Sequence, residues 1–253
     1  MHHRHPLRTI TTGILSVSFA LLLMGCSSPQ KIQSAWQPVD TLRIDGQVDE
    51  WEEVRPQYYD EDSRLAVRTM NNADSLFICV TVGSRSMARK VMHSGLTLTL
   101  DLDDTQEPDV ALEIKPSDLP ERNAHEKKDP SRSRNTMASP ATIAITIPPS
   151  GISMALTPSE ARKKGIDARM AQDRFDRLVM EARLNLKTMA LMANTTPETK
   201  ITLGIESPET SPADRSGDKK SGRKGGRGGR GRSRNSATPL KAELEVTLAS
   251  PDR

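Results

Sequence analysis

Residues 96–102 have the sequence Leu-Thr-Leu-Thr-Leu-Asp-Leu, and residues 243–248 have the sequence Glu-Leu-Glu-Val-Thr-Leu. Apolar and polar side chains alternate in both stretches, which in an extended chain places them on opposite faces. Such alternation is typical of strands that lie with one face on a core and the other in water. These two stretches therefore predict an antiparallel β-structure.

Further stretches with turn residues between them extend this pattern along the chain. The predicted strands cover residues 42–48, 65–70, 76–82, 96–102, 110–114, 141–147, 152–156, 178–186, 201–205 and 242–248. About ten short strands of this kind favour an all-β, antiparallel sandwich. One short helix is predicted after Thr157, because Pro158 and Glu160 complete a helix-start pattern and Gly165 supplies a stop.

Two segments lack any periodicity and are predicted to be loops of the domain. Residues 116–140 are polar and rich in proline, which predicts a flexible surface loop. Residues 213–238 are predicted to be disordered, and within them residues 219–234 contain only Gly, Ser and eight basic side chains. The basic residues are Lys219, Lys220, Arg223, Lys224, Arg227, Arg230, Arg232 and Arg234. Such a flexible polycation suits contact with phosphates or sulfates.

The N-terminus resembles a targeting segment. Residues 1–8 carry two arginines and no acid, and residues 9–24 are apolar or small. This pattern predicts a signal peptide over 1–25, and the ending Leu-Met-Gly-Cys resembles a bacterial lipobox with Cys26 as the lipidated residue. The alternative is a plain signal peptide that happens to contain a cysteine. Lipidation would make 26–41 a membrane anchor and tether, followed by the sandwich domain over 42–250.

Lipidation also fixes the expected compartment. The absence of an acid at Ser27 and Ser28 suggests the outer membrane, with the domain facing the periplasm. Nucleic acid is then an unexpected partner, because a lipoprotein lies outside the cytoplasm and the basic segment lacks aromatic residues. Anionic envelope or surface polymers are the expected partners, with membrane attachment through Cys26.

Composition argues against an enzyme. The chain has a formal net charge of +3, five His, two Cys and 3% aromatic residues. With Cys26 lipidated, Cys79 is the only remaining thiol, and a buried structural role is favoured over a reactive one. No nucleophile and base can be matched by sequence pattern, so the chain is predicted to be non-catalytic with no cofactor.

A group of acids follows one of the predicted strands. Residues 101–109 contain five carboxylates, and Asp101, Asp103 and Asp104 are candidate ligands for Ca²⁺, which prefers closely spaced oxygen donors. The alternative is a solvated turn, since Asp-Asp and Glu-Pro are common in turns.

Five segments in order resemble family 9 carbohydrate-binding-module-like domains, which are related to DOMON domains. The clearest is residues 44–51 (IDGQVDEW), which is similar to the opening I-D-G-x-x-D-x-W of that family. The other four are residues 71–78 (NNADSLFI), 94–101 (SGLTLTLD), 178–186 (LVMEARLNL) and 201–206 (ITLGIE). The chain most resembles bacterial lipoproteins that carry this domain.

The resemblance implies an immunoglobulin-like β-sandwich. Sugar-binding members of the family hold the sugar between aromatic side chains, and some bind calcium. An equivalent aromatic pair is not recognisable from this sequence: Trp51 is expected to be buried, and Tyr58 and Tyr59 point to opposite faces of a strand.

Two functions follow as hypotheses. The first is a non-catalytic envelope lipoprotein that contacts anionic polymers through residues 219–234. The second is glycan recognition by the sandwich itself, with a possible contribution from Ca²⁺.

Overall fold

The computed structural model describes residues 28–38, 42–103, 105, 107–116, 139–148, 150–173, 175–196, 198–208 and 239–251. These residues form thirteen β-strands in two sheets, three α-helices and one turn of 3-10 helix. The alternating sequence pattern correctly predicts this all-β sandwich.

The first sheet contains both stretches whose alternation is clearest. Its strands, in spatial order, are β1 (Gln30–Gln33), β13 (Lys241–Thr247), β12 (Lys200–Glu206), β6 (Leu96–Asp101), β7 (Val110–Pro116), β8 (Ser139–Ile147) and β9 (Ile152–Leu156). Neighbouring strands are antiparallel except for the edge pair of β1 and β13, which is parallel.

The second sheet carries the surface described below. Its central strands, in spatial order, are β10 (Ile166–Gln172), β11 (Leu178–Asn185), β5 (Ser75–Val82) and β4 (Leu65–Asn71). Two short strands complete it by pairing with β4: β2 (Ala35–Trp36) in parallel and β3 (Tyr58–Asp60) antiparallel.

Strand β8 belongs to both sheets. Its first residues, Ser139 and Pro140, pair with Met170 and Arg169 of β10 in the second sheet. From Ala141 onward it pairs with β7 in the first sheet. One continuous strand therefore joins the two layers.

The main core lies between the sheets and is built from alternate residues of each strand. On β5 the inward side chains are Leu76, Ile78, Val80 and Val82, all fully buried. Leu96, Leu98 and Leu100 of β6 meet them from the first sheet as members of the same cluster. Burial of one such side chain contributes about 1.5–3 kcal/mol, so this layer supplies the main hydrophobic stabilisation.

A second, smaller core covers part of the outer face of the second sheet. Phe77 and Cys79 of β5 point outward there and pack with Trp51 and Leu42 from the preceding segment. Both Trp51 and Cys79 have no exposed surface, which confirms the structural roles predicted for them. Cys79 is a free thiol.

The described residues form three α-helices, of which the sequence predicts one. Helix α2 (Pro158–Lys163) is the predicted helix, and its capping pattern is confirmed: Thr157 Oγ1 accepts a hydrogen bond from Glu160 N, and Glu160 Oε2 accepts one from Thr157 N. The two unpredicted helices are α1 (Arg85–Ser94) and α3 (Leu186–Ala193). The residues that they bury are Met87, Ala88 and Val91 in α1, and Leu186, Met189 and Ala190 in α3.

The prediction of a strand over residues 42–48 is wrong. Gly46 has φ of +84°, which interrupts an extended chain, and the segment folds over the second sheet instead of pairing within it. Residues 30–33 and 35–36, which fall within the predicted tether, form β1 and β2. None of the helices in the described ranges is long and apolar enough to cross a bilayer.

Candidate functional site

The I-D-G segment is fastened to the sandwich by one buried carboxylate. Glu181 on the outer face of β11 is fully buried. It accepts hydrogen bonds from Trp51 Nε1 at 2.6 Å, Asp45 N at 2.9 Å and Gly46 N at 2.5 Å. The family-like motif is thus a structural clasp, in which Trp51 and the 45–46 backbone turn close on Glu181.

Burial dominates the electrostatics of this clasp. It raises the pKa of Glu181 to about 7, although the hydrogen bonds from Gly46, Trp51 and Asp45 act in the opposite direction. Burial also raises the pKa of the Cys79 thiol, so the thiol stays protonated at neutral pH. Neither group lines either of the two cavities described below.

Beside the clasp, the outer face of the second sheet forms an open cleft of about 880 Å³. We call it the aromatic cleft. It is lined by Pro56, Tyr59, Asp62, Arg64, Ala66, Arg68, Thr81, Gly83, Ser84, Arg85, Phe175 and Arg177. Its floor comes from β4 and β5, because Ala66 lies directly opposite both Tyr59 and Thr81 in the strand register.

Two exposed aromatic rings flank the aromatic cleft. Tyr59 is 57% exposed and Phe175 is 60% exposed, which is unusual for large rings. Tyr58 and Tyr59 are neighbours on β3, so their side chains point to opposite faces of the sheet. Tyr58 packs on the main core, and Tyr59 therefore faces the cleft. The prediction that these two tyrosines cannot line one site is therefore confirmed.

A tight turn presents Phe175 between β10 and β11. Asp173 holds this turn by accepting hydrogen bonds from Phe175 N and Arg177 N, both at 2.9 Å. Arg177 Nε also donates to Asp173 Oδ2 at 2.6 Å, and its guanidinium lies 5.2 Å from the centre of the Phe175 ring. The ring is thus held by its own turn and by a cation–π contact.

A second turn presents Arg64 on the other side. Asp60 accepts hydrogen bonds from the Ser63 backbone and hydroxyl, and these bonds lower the pKa of Asp60. Arg64 follows with φ of +52°, and its carbonyl accepts a hydrogen bond from Gly83 N at 3.0 Å. A Cβ at Gly83 would lie 3.1 Å from Arg64 Cβ, so the glycine leaves room for this close approach.

A further cavity of about 700 Å³ lies on the outer face of the first sheet. Its lining is made mostly of hydroxyl and carboxylate side chains, among them Thr99, Thr202, Glu206 and Glu243, with no aromatic ring.

The structure brings together a slightly different carboxylate group from the one predicted. One oxygen from each of Asp101, Asp103 and Asp109 lies within 4.8 Å of the others. Asp104 falls outside the described residues, and Asp109 joins Asp101 and Asp103 because β6 and β7 are paired at this end. Burial raises the pKa of Asp109, while the hydrogen bond from Thr195 lowers the pKa of Asp103.

These three carboxylates fit a hard divalent cation such as Ca²⁺. Asp103 Oδ1 is buried without a hydrogen-bond partner among the described residues, so one ligand atom is already desolvated and unused. Other oxygens support the turn: Asp109 Oδ2 accepts from Leu102 N at 2.7 Å, and Asp101 Oδ1 accepts from Thr105 N at 3.2 Å. A bound cation would add to a turn that the chain already closes.

The remaining predicted site residues lie outside the described residues. These are Cys26 and the eight basic residues Lys219, Lys220, Arg223, Lys224, Arg227, Arg230, Arg232 and Arg234. Lipidation and anion binding by this segment stay predictions.

Sequence reasoning missed Phe175 and its place on the same cleft as Tyr59. The two residues are far apart in the chain, and Phe175 lies in a polar stretch with no strand pattern. The available signal was an aromatic residue in a turn of otherwise charged residues, where burial is not expected.

Neither a protein-family profile nor a curated protein matches this sequence. Among solved structures, the chain is similar to a family 9 carbohydrate-binding module from Caldicellulosiruptor kristjanssonii in complex with glucose. The identity is 14%, the TM-score is 0.37, and 88% of this chain and 98% of that chain are covered. A structure described as the same kind of module from that organism, in complex with cellotriose, matches with 12% identity, a TM-score of 0.37 and coverage of 88% and 96%.

Proposed function

We propose that this protein is a non-catalytic glycan-binding module and that the aromatic cleft is its binding site. The observation that carries the proposal is the placement of Tyr59 and Phe175, two exposed rings on one open cleft. Exposed aromatic rings present flat apolar surface to a ligand, and the apolar face of a sugar ring is a suitable partner.

The polar lining completes the chemistry of a sugar site. Thr81 and Ser84 supply hydroxyl groups, Asp62 supplies an acceptor, and the arginines supply several donors each. Ligand sites commonly combine an apolar surface with a few polar groups that fix orientation.

The first test uses a glycan array and the variants Tyr59→Ala and Phe175→Ala of the full chain. Hits would be measured by calorimetry, and each variant is expected to lose about tenfold in affinity, equivalent to about 1.4 kcal/mol. Leu191→Ala is the matched control, because Leu191 is 82% exposed on α3 and does not line the cleft. Equal affinity in wild type and both ring variants would contradict the proposal.

A second candidate rests on residues 219–234, whose eight basic side chains suit an anionic polymer. Replacement of those eight residues by Gln would abolish binding under this candidate, and high salt would weaken it. If the ligand binds in the aromatic cleft, Tyr59→Ala and Phe175→Ala are expected to lose affinity, and the Gln variant is expected to retain it.

We further propose that the chain is a lipoprotein anchored at Cys26 and located in the outer membrane. The support is the basic head, apolar run and Leu-Met-Gly-Cys ending of residues 1–26. Metabolic labelling with palmitate, followed by membrane fractionation, is expected to show label in wild type and none in Cys26→Ser. Label that persists in the variant would contradict the assignment.

A further inference from the structure

The aromatic cleft is rich in arginine. Four arginines and a single aspartate line it: Arg64, Arg68, Arg85, Arg177 and Asp62. A cleft built only for a neutral sugar has no need of this excess, because hydroxyl and amide groups serve neutral sugars equally well. The charge on the lining indicates an anionic group on the ligand.

Two of these arginines have no charged partner among the described residues. Arg68 Nε donates to the carbonyl oxygen of Val54 at 2.8 Å, so a neutral acceptor holds the side chain and leaves its charge uncompensated. Arg64 forms no ion pair within the described ranges, and its side chain is exposed. Both guanidinium groups therefore retain attraction for an anion.

The other two arginines are paired in ways that differ. Arg177 is committed to Asp173 and to the face of Phe175. Arg85 lies 3.4 Å from Asp176, but both side chains are largely exposed, at 73% and 52%. Exposed pairs of this kind are weak, so Arg85 can exchange its partner for a ligand anion.

The backbone around the cleft is held in sparsely populated conformations. Three non-glycine residues with φ between +52° and +60° occur in the described part of the chain, and two of them, Arg64 and Asp176, lie in the turns beside the cleft. Such conformations cost free energy and recur at binding sites, where surrounding structure maintains them. The hydrogen bond from Gly83 N to the carbonyl oxygen of Arg64 maintains this conformation at the edge of the cleft.

We infer that the ligand of the aromatic cleft is an acidic saccharide, with its ring against Tyr59 or Phe175 and its carboxylate or sulfate bound by Arg64 and Arg68. This inference rests on the proposed glycan-binding function and names its ligand class. A guanidinium group presents parallel N–H donors that match the oxygens of a carboxylate or sulfate. The apolar ring and the anion thus have separate, adjacent partners.

The test uses the full chain with the eight basic residues of 219–234 replaced by Gln, so that this segment cannot bind the acidic probe. Calorimetry would compare a galacturonic acid trimer, a sulfated glucose trimer and neutral cellotriose at low and high salt. We expect an acidic trimer to bind at least tenfold more tightly than cellotriose, with the difference shrinking at high salt.

Arg64→Asn is the decisive variant, because Asn tolerates positive φ and removes the charge without adding strain. It is expected to lower affinity for the acidic trimer about tenfold and leave affinity for cellotriose unchanged. Arg64→Lys keeps the charge but not the paired donors, and an intermediate loss is expected. Arg162→Gln, on exposed α2, is the matched control for loss of one arginine elsewhere.

The outcomes separate this inference from the function on which it rests. Binding of cellotriose as tight as that of both acidic trimers, unaffected by Arg64→Asn, would overturn the acidic ligand and leave glycan binding in place. Binding to none of the three trimers, together with silence on the glycan array, would overturn both. The contrast between the galacturonic acid and sulfated trimers identifies which anion the arginines prefer.

Discussion

Glu181 is the residue on which the clasp depends, and its protonation links the fold to pH. The carboxyl has a pKa of about 7 when folded and an ordinary value of 4.5, so the folded protein binds this proton more tightly. Between pH 4.5 and 7, the free energy of unfolding is therefore expected to fall as pH rises. The slope from this one group is at most about 1.4 kcal/mol per pH unit.

Glu181→Gln tests that linkage. The unfolding free energy of wild type minus that of this variant is expected to decrease as pH rises from 4.5 to 7 and then to level off. Urea denaturation at a series of pH values measures it, with exposed Glu243→Gln as the control. A difference that stays constant over this range would mean that Glu181 is ionised throughout.

Two glycines allow the steric cost of adding a side chain to be measured separately from the cost of a positive φ. Gly95 and Gly151 both have positive φ, at +85° and +66°. A Cβ at Gly95 would lie 2.8 Å from the carbonyl oxygen of Ile114, whereas a Cβ at Gly151 would meet nothing within 4 Å. Gly95→Ala is expected to destabilise the fold by about 2–4 kcal/mol and Gly151→Ala by about 1 kcal/mol, as measured by urea denaturation. Equal losses would show that conformation alone sets the cost.

At the scale of elements, the turn between β6 and β7 carries the predicted metal site. Ca²⁺ at about ten times its dissociation constant is expected to raise the Tm of the full chain by about 3–6 °C relative to EDTA. Asp109→Asn should abolish the rise, since it removes a ligand charge while the amide oxygen can still accept from Leu102 N.

Glu107→Gln provides the control for this turn. Glu107 is exposed and lies outside the three-carboxylate group, so its loss removes the same charge without removing a ligand. The variant should retain the Tm increase. An identical Tm in Ca²⁺ and EDTA for wild type would assign the carboxylates to turn stabilisation alone.

Elements also show what the sequence could and could not reveal. Strands β6 and β13 were predictable because each buries alternate residues, and the capping pattern of α2 was predictable because it is local. The segment 42–48 misled because its apolar residues serve a small outer core and not a strand. The placement of Tyr59 and Phe175 on one cleft depends on strand order across the second sheet, which no local pattern encodes.

At the scale of the whole molecule, strand β8 belongs to both sheets. Because β8 pairs with both β10 and β7, loss of either sheet would disrupt the other. We expect a single cooperative unfolding transition, in which tryptophan fluorescence coincides with far-UV circular dichroism. The fluorescence reports Trp36 in β2 and Trp51 in the small outer core, both at the second sheet. Two separated transitions would show that the layers unfold independently.

The edge strand β1 sets a limit on where the domain could operate. If Cys26 is embedded in lipid, four residue steps separate it from Gln30, the first residue of β1. A fully extended chain covers at most about 3.6 Å per step, so the segment between Cys26 and Gln30 spans no more than about 14 Å. The domain would then bind only polymers that reach the membrane surface, and not those dissolved farther away.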